Sequence, residues 1–213
     1  MVVLEEIEQA RANFLNYTRK SFFKLSYQER PKILDIGCGS GIPTIELAKI
    51  SNGEVIGIDI DQSCIDELNR KIIKEALSNR VKGINLSMFE MKFPDETFDI
   101  IWSEGAIRTI GFETCLKKWH RFLKRNGYLV IHCQIKDATN SLTNIPKQGY
   151  ILKETVQLPF DAWWTEFYQP LEEKIHTLLH KYTKSLDALK LLRQLQSEKS
   201  LVKGYLTSKI EFV

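Results

Sequence analysis

The chain has 213 residues, enough to bury one α/β core with a small cap and too few for two full domains to be the default. Hydrophobic residues make up 43% and charged residues 27%, an ordinary soluble balance, and no stretch approaches the ~20 apolar residues needed to cross a bilayer. A formal net charge of +3 is only mildly basic, whereas nucleic-acid binding usually shows basic residues clustered on one face, so nucleic acid is a minority partner class.

The opening stretch, MVVLEEIEQARANF, carries acids and lacks the basic-then-apolar layout of a secretory signal. Cys38, Cys64, Cys115 and Cys133 are scattered without a CxxC pair. That pattern suits small buried thiols in a reducing compartment better than a zinc knuckle or a disulfide framework. The expectation is a cytoplasmic protein without a metal.

Along the chain the apolar period switches repeatedly between strand-like and helix-like. Ile33, Leu34 and Ile36 predict a short buried strand, and Ile42, Ile45, Leu47, Ala48 and Ile50 the helix that crosses back. GEVIGIDI, 53–60, reads as the second strand, and SCIDELNRKIIKEAL places Ile65, Leu68, Ile72 and Ile73 on one helical stripe. VKGINLSM predicts a third strand, TFDIIWSE a fourth, CLKKWHRFL a helix, and GYLVIHCQI a fifth strand that is apolar throughout, as in a central parallel strand. Turn-rich KDATNSLTNIPKQG leaves room for two helical turns before YILKETVQL, 150–158, resumes alternation as a sixth strand. A long helical region, 161–199, and SKIEFV, read as an edge strand beside the sixth, complete the chain. This alternation predicts an α/β fold with a doubly wound, Rossmann-like sheet.

The first strand ends in Asp35 and the series Gly37-x-Gly39-x-Gly41 before the helix resumes. A strand that enters a helix through glycines presents free backbone N–H groups and a positive dipole end, with no Cβ to hold a ligand away. The third glycine falls one residue earlier than in the dinucleotide fingerprint, where Ile42 would have to be glycine, which disfavours NAD. Asp59, at the end of the second strand, stands where a carboxylate accepts hydrogen bonds from ribose hydroxyls. A nucleotide-like ligand is expected.

These residues resemble the class I S-adenosylmethionine-dependent methyltransferases. LDIGCGSG at 34–41 is similar to that family's first motif, Asp59 in GIDID to its ribose acid, and FPDETFDIIWSEGAI to the stretch that includes its fourth strand. FLKRNGYLVIH resembles the segment entering its fifth strand, with Arg125-Asn126 where Pro-Gly is usual. The likeness spans roughly residues 30–135, and NYTRKSF at 16–22 resembles the N-terminal helix of a subgroup of small-molecule members. It implies a seven-stranded sheet with an antiparallel last strand and a helical lid. In that layout the single domain has a lid at 1–29, a cofactor core at 30–135, and C-terminal strands at 136–213 with a helical cap at about 161–199.

The implied cofactor is S-adenosyl-L-methionine, leaving as S-adenosyl-L-homocysteine. Carried over by position, Gly37, Cys38 and Gly39 line its methionine part, with Asp35 and Gly41 flanking them. Asp59 binds the ribose and Ile60 packs on the adenine. Ser87, Met88 and Phe89 stand where many members place an acid against the adenine amino group. Glu104 and Gly105 lie where the transferable methyl faces its acceptor, and Tyr17 or Arg19 closes over the cofactor's carboxylate.

A sulfonium methyl is already electrophilic, so transfer needs chiefly an in-line nucleophile and sometimes a base. Glu104 is the candidate to orient the acceptor or remove its proton, the alternative being a cofactor-side role. His132, near the carboxyl end of the fifth strand, is the second catalytic candidate if it faces the pocket, and otherwise a partly buried structural histidine. His176 and His180 lack the acid of HExxH, because Thr177 occupies that position, and read as a solvated helix face. Arg108, Trp163, Trp164 and Tyr168 are the candidate substrate contacts, although core packing is the favoured reading of the aromatics. The expected function is methyl transfer to a small-molecule acceptor, with no membrane partner. The alternatives are an RNA or protein methyltransferase of the same fold and a non-catalytic nucleotide- or NAD-binding module.

Overall fold

In the computed structural model of the chain, the described residues are 2–26, 28–133, 142–181, 186, 189–190, 192–193 and 195–197. They fall into two compact units, Met1–Asn16 with Gln157–Phe212, and Tyr17–Val156. In chain order the elements are α1 (Val2–Ala12), α2 (Leu15–Phe22), β1 (Lys32–Ile36), α3 (Ile42–Ser51), β2 (Glu54–Asp59), α4 (Gln62–Lys74), β3 (Val81–Asn85), β4 (Phe98–Glu104), α5 (Ile107–Ile110), α6 (Phe112–Trp119), β5 (Leu123–His132) and α7 (Gln169–Lys181).

The strands of the larger unit form a five-stranded sheet in the order β3-β2-β1-β4-β5, with every neighbouring pair parallel. From β1 the chain steps outward through β2 and β3, then returns to the other side of β1 for β4 and β5. The order therefore reverses between β1 and β4, and their carboxyl ends open the crevice where an open α/β sheet takes its ligand.

Period-2 alternation sends Ile33 to one face of the sheet and Leu34 and Ile36 to the other. The Ile33 face packs Leu47 and Ala48 of α3 and Ile65, Leu68 and Ile72 of α4. The Leu34 face packs Leu116 and Trp119 of α6. Leu68 is fully buried, a burial that stabilises the fold by about 1.5–3 kcal/mol. Ile73, expected on the same stripe, is instead 73% exposed, because it lies about 100° around the helix from Ile72. The start of α4 is set by Asp61, whose side chain accepts from the Ser63 amide at 2.8 Å, satisfying one of the amides a helix leaves open at its first turn.

Two expectations about the carboxyl-terminal part meet different outcomes. KDATNSLTNIPKQG does contain two short turns, the 3₁₀ helices Leu142–Asn144 and Pro146–Gln148. The sixth strand does not form: 150–158 carries no ladder, and Ile151 and Leu152 are 81% and 50% exposed. A strand is stable only when a neighbour takes its backbone N–H and C=O groups, and the expected neighbour, SKIEFV at 208–213, lies outside the described residues.

The smaller unit is helical. α1 packs on α7 and on a π-helix at Trp163–Tyr168. Phe14 lies 4.5 Å from Trp163, and Phe167 lies 5.8 Å from Trp163 and 4.8 Å from Tyr168, centroid to centroid. Asn13 Nδ2 donates to the Glu166 carbonyl at 2.7 Å.

Candidate active site

β1 leaves the sheet at Ile36 and turns at once. The amides of Gly37 and Cys38 both donate to the Ile58 carbonyl, at 2.9 and 3.0 Å, which pins the turn to the end of β2. Gly37, Gly39 and Gly41 have φ of +73°, +53° and +84°, the left-handed region that side chains disfavour. Their surroundings differ. A Cβ on Gly37 would meet the Ala106 Cβ at 2.5 Å and one on Gly41 would meet Leu68 Cδ1 at 2.3 Å, whereas one on Gly39 finds nothing within 4 Å. Packing demands the outer two glycines, and the middle one turns a bare backbone toward open space.

Gly39 donates its amide to Asp59 Oδ2 at 2.9 Å, and the Asp61 amide donates to Oδ1 at 2.9 Å. Two backbone donors thus hold the Asp59 carboxylate at the rim of β2. Asn85 Nδ2 steadies the same segment by donating to the carbonyls of Asp59 and Ile60, at 3.1 and 2.8 Å. Ile60 beside it is 76% exposed, an apolar surface next to a fixed anion. Further along the rim, the Phe89 amide donates to Ser87 Oγ at 3.2 Å. Phe89 is exposed with the Lys118 ammonium 5.7 Å from its ring centroid, while Met88 packs against the core.

Asp35 is 1% exposed and accepts a 2.6 Å hydrogen bond from the Thr44 hydroxyl. Burial pushes its carboxyl up to about 7; the Thr44 bond opposes the shift and the negative charges of Glu104 and Asp59 add to it. Burial likewise pushes the Cys38 thiol up, with Asp35 and Asp59 adding to the effect, so Cys38 is an inert wall and not a nucleophile.

Asp35 stands opposite Trp102 in the β1–β4 register, and Glu104 follows Trp102 by two residues, so all three share one face of the sheet. Trp102 Nε1 and Thr18 Oγ1 each donate to Glu104 Oε1 at 2.8 Å. His132 is the register partner of Glu104 across β4 and β5, and the Gly105 amide donates to its carbonyl at 3.2 Å. Protein packed around the imidazole lowers its pKa, and the nearby Glu104 charge only partly offsets this, which keeps the ring neutral at neutral pH. Gly105 has φ +81° and, like Gly39, faces open space.

The structure thus gathers Asp35, Gly37, Cys38, Gly39, Gly41, Asp59, Glu104 and His132 at the carboxyl ends of the strands. Arg19, one residue after Thr18 on α2, pairs through Nε with Glu46 Oε1 of α3 at 2.5 Å, and Tyr17 sits half-buried before them. Arg108 is exposed on α5. Trp163, Trp164 and Tyr168 belong to the helical unit, where Tyr168 is 5% exposed and the half-buried Trp163 lies against Phe14. Thr18, Trp102, Thr44 and Asn85, which hold the candidate groups in place, were not singled out in the sequence. The available signal was a threonine inside each of two helices, where a β-branched hydroxyl residue is a poor helix former unless something else uses it.

Residues 34–131, the stretch from β1 into β5 that builds this site, match the family model described as a methyltransferase domain. The matched stretch makes up just under half of the chain. The chain is 29% identical over 110 residues to sterol 24-C-methyltransferase erg6 of Aspergillus fumigatus, covering 51% of its own length and 29% of that protein. It is 30% identical over 139 residues to a demethylmenaquinone methyltransferase of Lactobacillus johnsonii, covering 63% of its own length and 57% of that protein. It therefore spans less than two thirds of the length of these curated relatives. In fold it is similar to a SAM-dependent methyltransferase from Thiobacillus denitrificans solved in complex with S-adenosyl-L-homocysteine, with a TM-score of 0.69 and 19% identity, over 92% of this chain and 87% of that one. Among the described residues no helix is long and apolar enough to cross a membrane.

Proposed function

We propose that this chain is a methyltransferase that moves a methyl group from S-adenosyl-L-methionine to a small-molecule acceptor at the carboxyl ends of β1, β2 and β4. The observation that carries the reading is the Gly39–Asp59 bond, which sets a fixed carboxylate beside a bare backbone face and the exposed Ile60. A carboxylate holding two backbone donors still has lone pairs for two hydroxyls, an open glycine allows close approach, and an exposed aliphatic side chain suits a flat ring. The site therefore fits the cofactor. When bound, the cofactor supplies a methyl on a sulfonium, reactive enough that the protein need provide only position and a proton acceptor.

In this reading Asp59 takes the ribose, Ile60 and Ser87–Phe89 border the adenine, and Asp35, Gly37, Cys38, Gly39 and Gly41 line the methionine end. Tyr17 or Arg19 meets the carboxylate. Glu104 orients the acceptor or takes its proton through Oε2, His132 stands beside it as a neutral imidazole, and Arg108 contacts the acceptor. The relatives named above bear the names of enzymes that methylate small molecules, and this supports an acceptor of that size. The seven-stranded sheet with an antiparallel last strand rests on the resemblance; β5 ends the described sheet, and its Tyr128–Ile131 stretch is apolar on both faces yet only half-buried. The assignment of 1–29 and about 161–199 as a lid rests on the resemblance alone. The scattered cysteines, without a CxxC pair, accord with a cytoplasmic location.

The test is incubation of the protein with methyl-tritiated S-adenosylmethionine and a deproteinised metabolite extract. Label should enter a small-molecule fraction. Label found only in added RNA or protein would overturn the choice of acceptor class, and failure to bind S-adenosylhomocysteine in calorimetry would overturn the reading altogether.

A further inference from the structure

Thr18 is 2% exposed on α2. A buried threonine hydroxyl on a helix usually satisfies itself by donating to the carbonyl one turn back. Here it donates instead to Glu104 Oε1 at 2.8 Å, across 86 residues of sequence. The Trp102 indole, which is only ever a donor, delivers its N–H to the same oxygen at 2.8 Å. Two donors on one oxygen fix the plane of the carboxylate. Among the described residues neither bond reaches Oε2. The residue after Thr18, Arg19, anchors the same turn of α2 to Glu46 of α3, so the hydroxyl is presented from a braced helix.

We propose that Thr18 is a positioning residue: with Trp102 it locks Oε1 of Glu104 and thereby presents Oε2 at the end of β4 to the methyl acceptor. The inference rests on the reading of Glu104 as the acceptor-side acid. It makes the docking of α2 the event that aligns this carboxylate, and it explains why a poor helix former occupies a buried helical position. No bond is made or broken at Thr18; its part is to hold the acid in one rotamer.

The experiment compares Thr18→Val, Thr18→Ser and Glu104→Gln. In each, the Trp102 indole ¹H–¹⁵N resonance is recorded, assigned by Trp102→Phe, together with S-adenosylhomocysteine affinity and methyl transfer into the extract fraction that the wild type labels. Thr18→Val should shift or broaden the indole resonance and lower turnover at saturating cofactor by roughly tenfold, the scale of one hydrogen bond to a charged group, with cofactor affinity unchanged. Thr18→Ser, which restores the hydroxyl, should recover both. If Glu104→Gln loses turnover and Thr18→Val does not, the positioning role is wrong and the reading of Glu104 stands. If Glu104→Gln itself keeps full turnover, that reading falls and takes this inference with it. Should Thr18→Val fail to fold, Thr18→Ala serves in its place. An indole resonance unmoved by loss of the hydroxyl would by itself show that the two donors do not act on Glu104 together.

Discussion

The amide of Gly39 and the carboxylate of Asp59 meet at 2.9 Å, joining the turn after β1 to the acid that ends β2. The Asp61 amide takes the other oxygen at 2.9 Å, so the carboxylate is oriented before any ligand arrives. Such preorganisation spares the ligand the entropy of ordering a side chain, about 0.5–1.5 kcal/mol for a long, flexible one.

Asp59→Asn keeps the size of that side chain and removes its charge. Hydrogen bonds to charged groups contribute about 1.5–3 kcal/mol, so affinity for S-adenosylhomocysteine should fall roughly 10- to 150-fold. Titration calorimetry measures it, and wild-type affinity in the variant would remove Asp59 from the ribose site.

The three glycines of the turn should separate by phenotype. Gly39→Ala places its Cβ in open space, so the folded protein pays only the left-handed strain of about 1–2 kcal/mol, while cofactor affinity falls sharply. Gly37→Ala and Gly41→Ala drive a Cβ to 2.5 Å from Ala106 and 2.3 Å from Leu68, and should lower the melting temperature further than Gly39→Ala does. Equal melting temperatures across the three variants would contradict this division.

The buried Asp35 predicts a pH dependence of stability. Its carboxyl titrates near 7 when folded, pushed up chiefly by burial, against an ordinary value of 3.8. Between those values the folded chain holds a proton that the unfolded chain has released, so stability falls as pH rises through that window and levels off above it. Asp35→Asn still accepts from Thr44 but does not titrate. Its unfolding free energy should lose that slope and exceed the wild type at pH about 8, by denaturant titration at several pH values. An unchanged slope would assign the pH dependence to other groups.

Ile60 is 76% exposed, so Ile60→Ala should change stability by no more than about 0.5 kcal/mol. Covering an isoleucine with a ligand ring gains on the order of 1 kcal/mol, and S-adenosylhomocysteine should bind about fivefold more weakly to the variant. Unaltered binding would mean that the adenine lies elsewhere.

Glu104→Gln leaves an oxygen for Thr18 and Trp102 but no anionic acceptor. Turnover should drop on the order of 10²-fold with cofactor affinity nearly constant, the signature of a proton acceptor acting on the other substrate. The opposite split, weak cofactor binding with normal turnover at saturation, would move Glu104 to the cofactor side.

Period and composition alone located all five strands of the described sheet, because a buried parallel strand must be apolar on both faces and a helix between strands must carry a stripe. The glycine turn and Asp59 were legible for a similar reason: close backbone approach and a carboxylate at a strand end are local requirements written in neighbouring residues. The strand expected at 150–158 shows where this stops, since alternation describes a face and supplies no partner, and Ile151 stands in solvent. Likewise core packing is the favoured reading of Trp163 and Tyr168 in the sequence, but which rings they meet is not legible there; Trp163 lies against Phe14 and Tyr168 packs edge-on against Phe167.

What the sequence by itself determined is the order of strands and helices in the sheet, the backbone turn and the acid that ends the second strand, all of which follow from residues within a few positions of one another. What only the tertiary structure decided is the state of the acids. Asp35 is poised near neutrality because the fold seals it from water beside Glu104 and Asp59, and Glu104 is held by Thr18 from 86 residues away. Charge and orientation depend on solvent exclusion and on donors arriving from other elements, and neither quantity has a period or a spacing along the chain.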